Sequence, residues 1–265
     1  MKTQPSLDQL ISIDGKRALI TGAAAGIGKA MTARFAEAGA HLTLVDIDSE
    51  TLAATARELT ESGVAVTPHV VDVSDEDAVD RLWIELRENE PDILVNNVGI
   101  YPFKRFSEVD GAFYDHVMRT NLSSTVWMCR QMIDRRRDRG GIIINIGSTD
   151  GIRPAADELS HYSISKAGVI ALTRSLAKAH ARHGFRVNAI VPGAILPSGA
   201  KQVVQKMVDG GVGAVKIGAE YVRRTPLGRL GRSDEVARIA LVLASELASY
   251  VNGAVIPVDG GFLAA

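Results

Sequence analysis

The stretch Arg17-Ala18-Leu19-Ile20-Thr21-Gly22-Ala23-Ala24-Ala25-Gly26-Ile27-Gly28 decides how this chain folds. Residues 17–21 form a short apolar run, and residues 29–38 continue as a helical pattern. The glycines fall between them. Gly22 can turn tightly, the Gly26-Ile27 backbone can approach a pyrophosphate, and Gly28 permits close helix-to-strand packing beside a helix N-terminus that favours phosphate. A bare glycine triplet also suits an ordinary strand-to-helix turn. The order of strand, loop and helix favours the nucleotide-binding alternative.

Working outward, strand candidates recur at 17–21, 41–45, 64–70, 93–96, 142–145, 186–191 and 254–258, with helix-length segments between them. The helical segments have polar starts such as Ser74-Asp75-Glu76-Asp77 and Ser233-Asp234-Glu235, where an N-cap serine and acids suit the helix dipole. Most strand candidates are continuous apolar runs, which fits strands covered on both faces by helices. Pro68 cannot donate to a ladder, so the third strand belongs at a sheet edge, as in a 3-2-1-4 order. The expected fold is α/β: a doubly wound, parallel seven-stranded sheet of the Rossmann kind in a single domain. A (β/α)8 barrel does not account for glycines concentrated after the first strand. Residues 1–13 read as an N-terminal extension and 14–265 as the domain. The Gly-rich stretch 194–232, with a short helix expected at 202–207, reads as a lid.

The chain has 265 residues, 46% hydrophobic and 23% charged, so a sizeable core is available. A formal charge of -1 supplies no field for nucleic acid or an anionic membrane. The single cysteine, Cys129, can form no intrachain disulfide and has no Cys/His neighbours at metal-ligand spacing, which points to a reducing compartment without a metal site. The opening MKTQPSLDQL has no apolar core, and no run of about 18 apolar residues occurs. A cytoplasmic location is expected.

Asp46 closes the second strand eighteen positions beyond Gly28, near the offset at which an acid accepts hydrogen bonds from an adenosine ribose. Its charge would oppose a 2′-phosphate, and Ala23, Ala24 and Ala25 provide no arginine to neutralise one, so NAD is favoured over NADP. A loop-end turn former is the alternative for Asp46, and Asp48 reads as a surface helix cap. Further along, Tyr162 and Lys166 stand four residues apart in a helix-like run and so share one face. A phenol needs a nearby cation to transfer protons near neutrality, and Lys166 can be that cation. By itself the pair is suggestive only.

Taken together, Thr21-Gly22-x-x-x-Gly26-x-Gly28, Asp72-Val73, Asn96-Asn97-Val98-Gly99, Asn121, Ser148, Tyr162-x-x-x-Lys166 and Pro192-Gly193 resemble the short-chain dehydrogenase/reductase family. The resemblance runs from Asp14 to Phe262. It implies that Tyr162 is the acid/base, that Lys166 lowers its pKa and binds the nicotinamide ribose, that Ser148 orients the substrate oxygen and that Asn121 supports a water relay behind Lys166. It also implies that Asp72 and Val73 hold the adenine, that Asn97 approaches the ribose, and that Pro192, Gly193 and the backbone around Ile195 receive the nicotinamide carboxamide. From the residues alone, Asn121 could equally be a polar group at a helix kink and Asp72 a helix cap.

Two departures stand out. Ser148 lies fourteen residues before Tyr162 where the family has thirteen, which moves the extra residue into the loop 153–160 and leaves Thr149 as the competitor. Pro197 replaces a threonine that family members commonly use on the carboxamide, with Ser198 next to it.

Tyr101, Phe103, Ile152 and Arg153 are candidate substrate-pocket residues, whereas His161 reads as packing. The implied activity is NAD(H)-dependent interconversion of a small secondary alcohol and a ketone by a homotetramer that pairs the helices near Tyr114 and Tyr162. The alternative is a 3-oxoacyl-thioester reductase using Arg135-Arg136-Arg137 and Arg139 to dock an acidic carrier. A nucleotide-sensing protein without the chemistry is a third possibility, opposed by the intact Asn121, Ser148, Tyr162 and Lys166.

Overall fold

A computed structural model describes residues 4–196 and 221–265. After a short helix α1 (Leu7–Ile11), the alternation runs β1 (Arg17–Thr21), α2 (Gly26–Glu37), β2 (His41–Asp46), α3 (Ser49–Glu61), β3 (Val66–Val70), α4 (Glu76–Glu85) and β4 (Ile93–Asn96). It continues with α5 (Gly111–Met118), α6 (Ser124–Arg135), β5 (Gly141–Ile146), α7 (Ser160–His180), β6 (Phe185–Pro192), α8 (Ser233–Ala244) and β7 (Val255–Val258). All seven strands pair in parallel, in the order β3-β2-β1-β4-β5-β6-β7. Each expected strand is present within a residue or two, and Pro68 sits on edge strand β3.

Alternation along each strand divides the core into two layers. Ala18 and Ile20 of β1 pack with Met31 and Phe35 of α2, Leu52 of α3 and Val236 of α8. Leu19 points the other way, to join Leu82 and Trp83 of α4, Met128 and Met132 of α6 and Ala177 of α7. Both faces of the sheet are therefore covered, which is why its strands read as unbroken apolar runs. The strand order reverses between β1 and β4, and a doubly wound sheet opens its crevice beyond the C-terminal ends of such a pair.

Two expected N-caps shift by one residue. Asp75, not Ser74, caps α4 by accepting from the Asp77 N–H, and Arg232, not Ser233, holds the cap position of α8, its own N–H donating to Glu235. Of the stretch read as a lid, residues 197–220 lie outside the described residues, and with them the helix expected at 202–207 and the departure at Pro197 and Ser198. The ends of that stretch are held together, because Ile195–Leu196 and Gly231–Arg232 pair as two short parallel strands.

Candidate active site

The loops after β1 and β4 are tied to one another. Thr21 Oγ1 accepts from the backbone N–H of Asn97 at 3.0 Å, and Asn97 Nδ2 donates to the carbonyls of Thr21 and Gly22 at 3.0 and 3.1 Å. Gly22 has φ +63, a left-handed turn that other residues rarely adopt. A Cβ at Gly28 would collide with the Gly22 carbonyl, so glycine is what lets α2 close on the strand. The N-cap of α2 is Ala25, which has no acceptor side chain, so no side chain caps the first N–H groups of this helix.

Asp46 stands at the end of β2 beside this loop. Its Oδ2 accepts from the Ala24 N–H at 2.9 Å and its Oδ1 from the Asp48 N–H at 3.1 Å, which fixes the carboxylate and leaves lone pairs on both oxygens. Asp48 caps α3 through the Thr51 N–H. Asp72 Oδ1 accepts from the Ser74 N–H at 2.9 Å, so Asp72 shapes the turn into α4 and Asp75 provides the cap.

One cleft of about 1090 Å³ runs along the C-terminal ends of the strands. Gly22, Gly26, Ile27, Asp46, Asp72, Val73 and Asn97 line one part, and Ser148, Tyr162, Lys166, Pro192, Gly193 and Ile195 line the rest. Gly28 and Asn121 stand behind its wall. Ser148 faces the cleft while Thr149, 1% exposed, does not.

Tyr162 and Lys166 share the inner face of α7. Lys166 is 3% exposed, and its ammonium donates to the Ile146 carbonyl at 2.9 Å and lies 6.0 Å from the Tyr162 ring centroid. Burial pulls Lys166 down to about 8. It pushes the Tyr162 phenol up to about 12, with the charge of Asp150 acting in the same direction and the hydrogen bond with Ser148 opposing it. Desolvation is thus the largest influence on the phenol, and it opposes the downward pull that the resemblance assigns to Lys166.

Asn121 lies in a π-helical turn (Arg119–Ser123) joining α5 to α6. Its Oδ1 accepts from the Ile100 N–H at 2.8 Å, and its Nδ2 donates to the Ile100 carbonyl at 2.8 Å and to Ser165 Oγ at 3.0 Å. It therefore pins the loop after β4 to α7 at Ser165, the residue next to Lys166. Such π turns recur at functional sites.

Of the four weaker pocket candidates, Tyr101 and Phe103 line the cleft, and the Tyr101 ring meets Tyr162 edge-on at 6.1 Å. Ile152 and Arg153 do not. Ile152 faces outward, and Arg153 turns to the Phe262 ring and the carbonyl of Ala265. His161 packs edge-on against Phe113 with its Nε2 at the Pro102 carbonyl. The arginine run is largely committed: Arg136 binds Asp92 and the Gly140 carbonyl, Arg139 binds Glu90 and Arg135 binds Gln131. Sequence reasoning passed over Asp150 and Tyr221, which both line the cleft. An acid two residues past Ser148 was the available signal for the first, and Tyr221 had none.

Among the described residues no group of three or more His, Cys, Asp or Glu could hold a metal, and no helix is long and apolar enough to cross a membrane.

Residues 22–263 match the family model described as enoyl-(acyl carrier protein) reductase. A galactitol 2-dehydrogenase (L-tagatose-forming) of Cereibacter sphaeroides is 38% identical over 254 residues, covering 94% of this chain and 96% of its own length. A 3-oxoacyl-(acyl-carrier-protein) reductase of Thermotoga maritima is 35% identical over 254 residues, covering 95% and 99%. The crystal structure of L-sorbose reductase from Gluconobacter frateurii complexed with NADPH and L-sorbose matches with a TM-score of 0.89 at 31% identity, over 97% of this chain and 99% of that one. The chain belongs to the short-chain dehydrogenase/reductase family, and is of its 3-oxoacyl-reductase-like type. It is an oxidoreductase of a family that works with a nicotinamide cofactor.

Proposed function

We propose that the protein interconverts a secondary alcohol and a ketone with NAD(H), using Tyr162 as the acid/base. The observation that carries this reading is one cleft that holds a fixed carboxylate, Asp46, beside an uncapped helix N-terminus, and a half-buried Tyr162 paired with a buried Lys166, with Ser148 further along the same wall. These residues fit a dinucleotide. The N–H groups at Gly26 and Ile27 would hold its pyrophosphate, Asp46 the adenosine ribose, and Asp72 and Val73 the adenine. Asn97 and Lys166 would reach the second ribose, and Pro192, Gly193 and Ile195 the carboxamide. When bound, the nicotinamide supplies or accepts the hydride.

The chain manages the proton. In reduction the Tyr162 O–H gives its proton to the oxygen of the forming alcohol, and in oxidation the phenolate takes it back. On substrate binding Ser148 Oγ would turn its one proton from Asp150 Oδ2 to that oxygen, and the Lys166 ammonium would stabilise the phenolate. Asn121 positions α7 against the loop after β4.

A 3-oxoacyl-thioester substrate is the second reading, favoured by the Thermotoga maritima relative and opposed by the committed arginines. We also take the active form to be a homotetramer in the cytoplasm. Ile164, Ala167 and Ala171 make an exposed stripe on α7, with Val126 exposed on α6, and the one cysteine is a buried free thiol.

Turnover of secondary alcohols and polyols, and of an acetoacetyl thioester in the reverse direction, should be measured with both cofactors. Alcohol oxidation with NAD supports the first reading. Thioester reduction with NADPH and no alcohol turnover replaces it with the second.

A further inference from the structure

Asp150 lies on the short turn Thr149–Gly151, 5% exposed, and forms part of the cleft wall beside Ser148 and Tyr162. Its two carboxylate oxygens are treated differently. Oδ1 accepts from the Ala155 N–H at 3.0 Å, which anchors the group. Among the described residues, Oδ2 has the hydroxyls of Ser148 and Tyr221 as partners, both at 3.4 Å and near the outer limit of a hydrogen bond. Carboxylate oxygens in such buried places ordinarily have closer donors, so Oδ2 retains capacity on the side of the cleft. Tyr221 holds this corner in place: its ring stacks on Phe262 with centroids 5.6 Å apart, and burial together with Asp150 keeps its phenol neutral.

Resting on the alcohol–ketone reading above, we propose that Asp150, backed by Tyr221, is the specificity-determining group of the cleft. Its Oδ2 accepts a hydrogen bond from a second hydroxyl on the carbon next to the reacting one. The spacing suits this role. Ser148 Oγ, which serves the reacting oxygen, is 3.4 Å from Asp150 Oδ2, and oxygens on adjacent carbons in a gauche arrangement lie about 3 Å apart. A vicinal diol or hydroxyketone thus meets both groups at once. A substrate with a carboxylate at that carbon would bring like charges together in a largely dry corner, which costs affinity. The substrate class assigned is neutral and polyhydroxylated, not a hydroxy acid.

The test compares kcat/KM for 2,3-butanediol, 2-butanol and lactate, in wild type and in Asp150→Asn, which keeps the Oδ1 acceptor for Ala155. Wild type should prefer the diol to the mono-alcohol by about 10-fold or more, as a hydrogen bond to a charged group allows. Lactate should be no better than the mono-alcohol. In Asp150→Asn the diol-to-mono-alcohol ratio should fall by about 10-fold, mainly through KM. A role confined to holding Ser148 would lower both substrates by the same factor and leave the ratio unmoved, which overturns the proposal. So does a wild-type preference for lactate or for 2-butanol, an arm that stands even if the variant does not fold. Wild type that turns over none of the three with either cofactor would instead refute the alcohol–ketone reading itself.

Discussion

At the scale of single residues, the chemistry rests on groups whose burial decides their charge. Tyr162→Phe keeps the ring and removes the proton donor, so turnover should fall by at least about 10²-fold while NADH affinity stays within a few-fold. Turnover near wild type would move the acid/base role elsewhere. Lys166 is buried with its pKa lowered from 10.5 to about 8, so the native state loses its proton before the unfolded chain does. Between those values the unfolded state binds more protons, and folding is favoured progressively as pH rises. Thermal melting of wild type measured against Lys166→Met should therefore shift in favour of wild type from pH 8 to 10.5; a flat difference would contradict the burial of the charge. Asp46→Ala should narrow the kcat/KM preference for NAD over NADP by roughly 10- to 150-fold, the worth of one or two charge-assisted hydrogen bonds. The residues legible in the sequence were those whose side chains recur at a fixed local spacing, such as Tyr162 with Lys166 or the glycine loop with Asp46. Asp150 and Tyr221 meet across 71 positions, and local spacing is blind to that distance.

At the scale of elements, one substitution should have opposite effects at two helix starts. Gly28→Ala drives a methyl group into the Gly22 carbonyl, and should lower both melting temperature and dinucleotide affinity. Gly111 opens α5 with nothing within 4 Å of a Cβ and an ordinary φ, so Gly111→Ala should stabilise by about 0.5–1 kcal/mol, readable by denaturant melting. The strands were legible because each is a continuous apolar run between punctuating glycines and acids. The caps of α4 and α8 were misplaced by one residue, since Ser74 and Asp75 are both good caps and only the backbone geometry chooses between them. The π turn at Asn121 has no sequence signature: it is a change of hydrogen-bond register, and the polar residue that occupies it reads equally as a kink or as part of a site.

At the scale of the whole molecule, the reversal of strand order between β1 and β4 makes the cleft, and Pro68 already marked the edge from which that order is counted. The exposed apolar stripe on α7 predicts association. Light scattering at micromolar concentration should give four times the chain mass of 28.3 kDa, and Ile164→Glu, which sets a charge at a residue now 47% exposed, should shift it toward smaller species. A wild-type monomer would reject the tetramer. Which alcohol enters was not legible, because it does not depend on the periodicities that set the fold, and the expected pairing of helices near Tyr114 and Tyr162 came from the family resemblance and not from those periodicities. The central claim is that this cleft is built for NAD(H), and calorimetric titration of the intact protein with NADH and with NADPH tests it most directly. The account predicts that NADH binds tighter by about 10-fold or more, owing to Asp46; tighter binding of NADPH, or no binding of either, would contradict it.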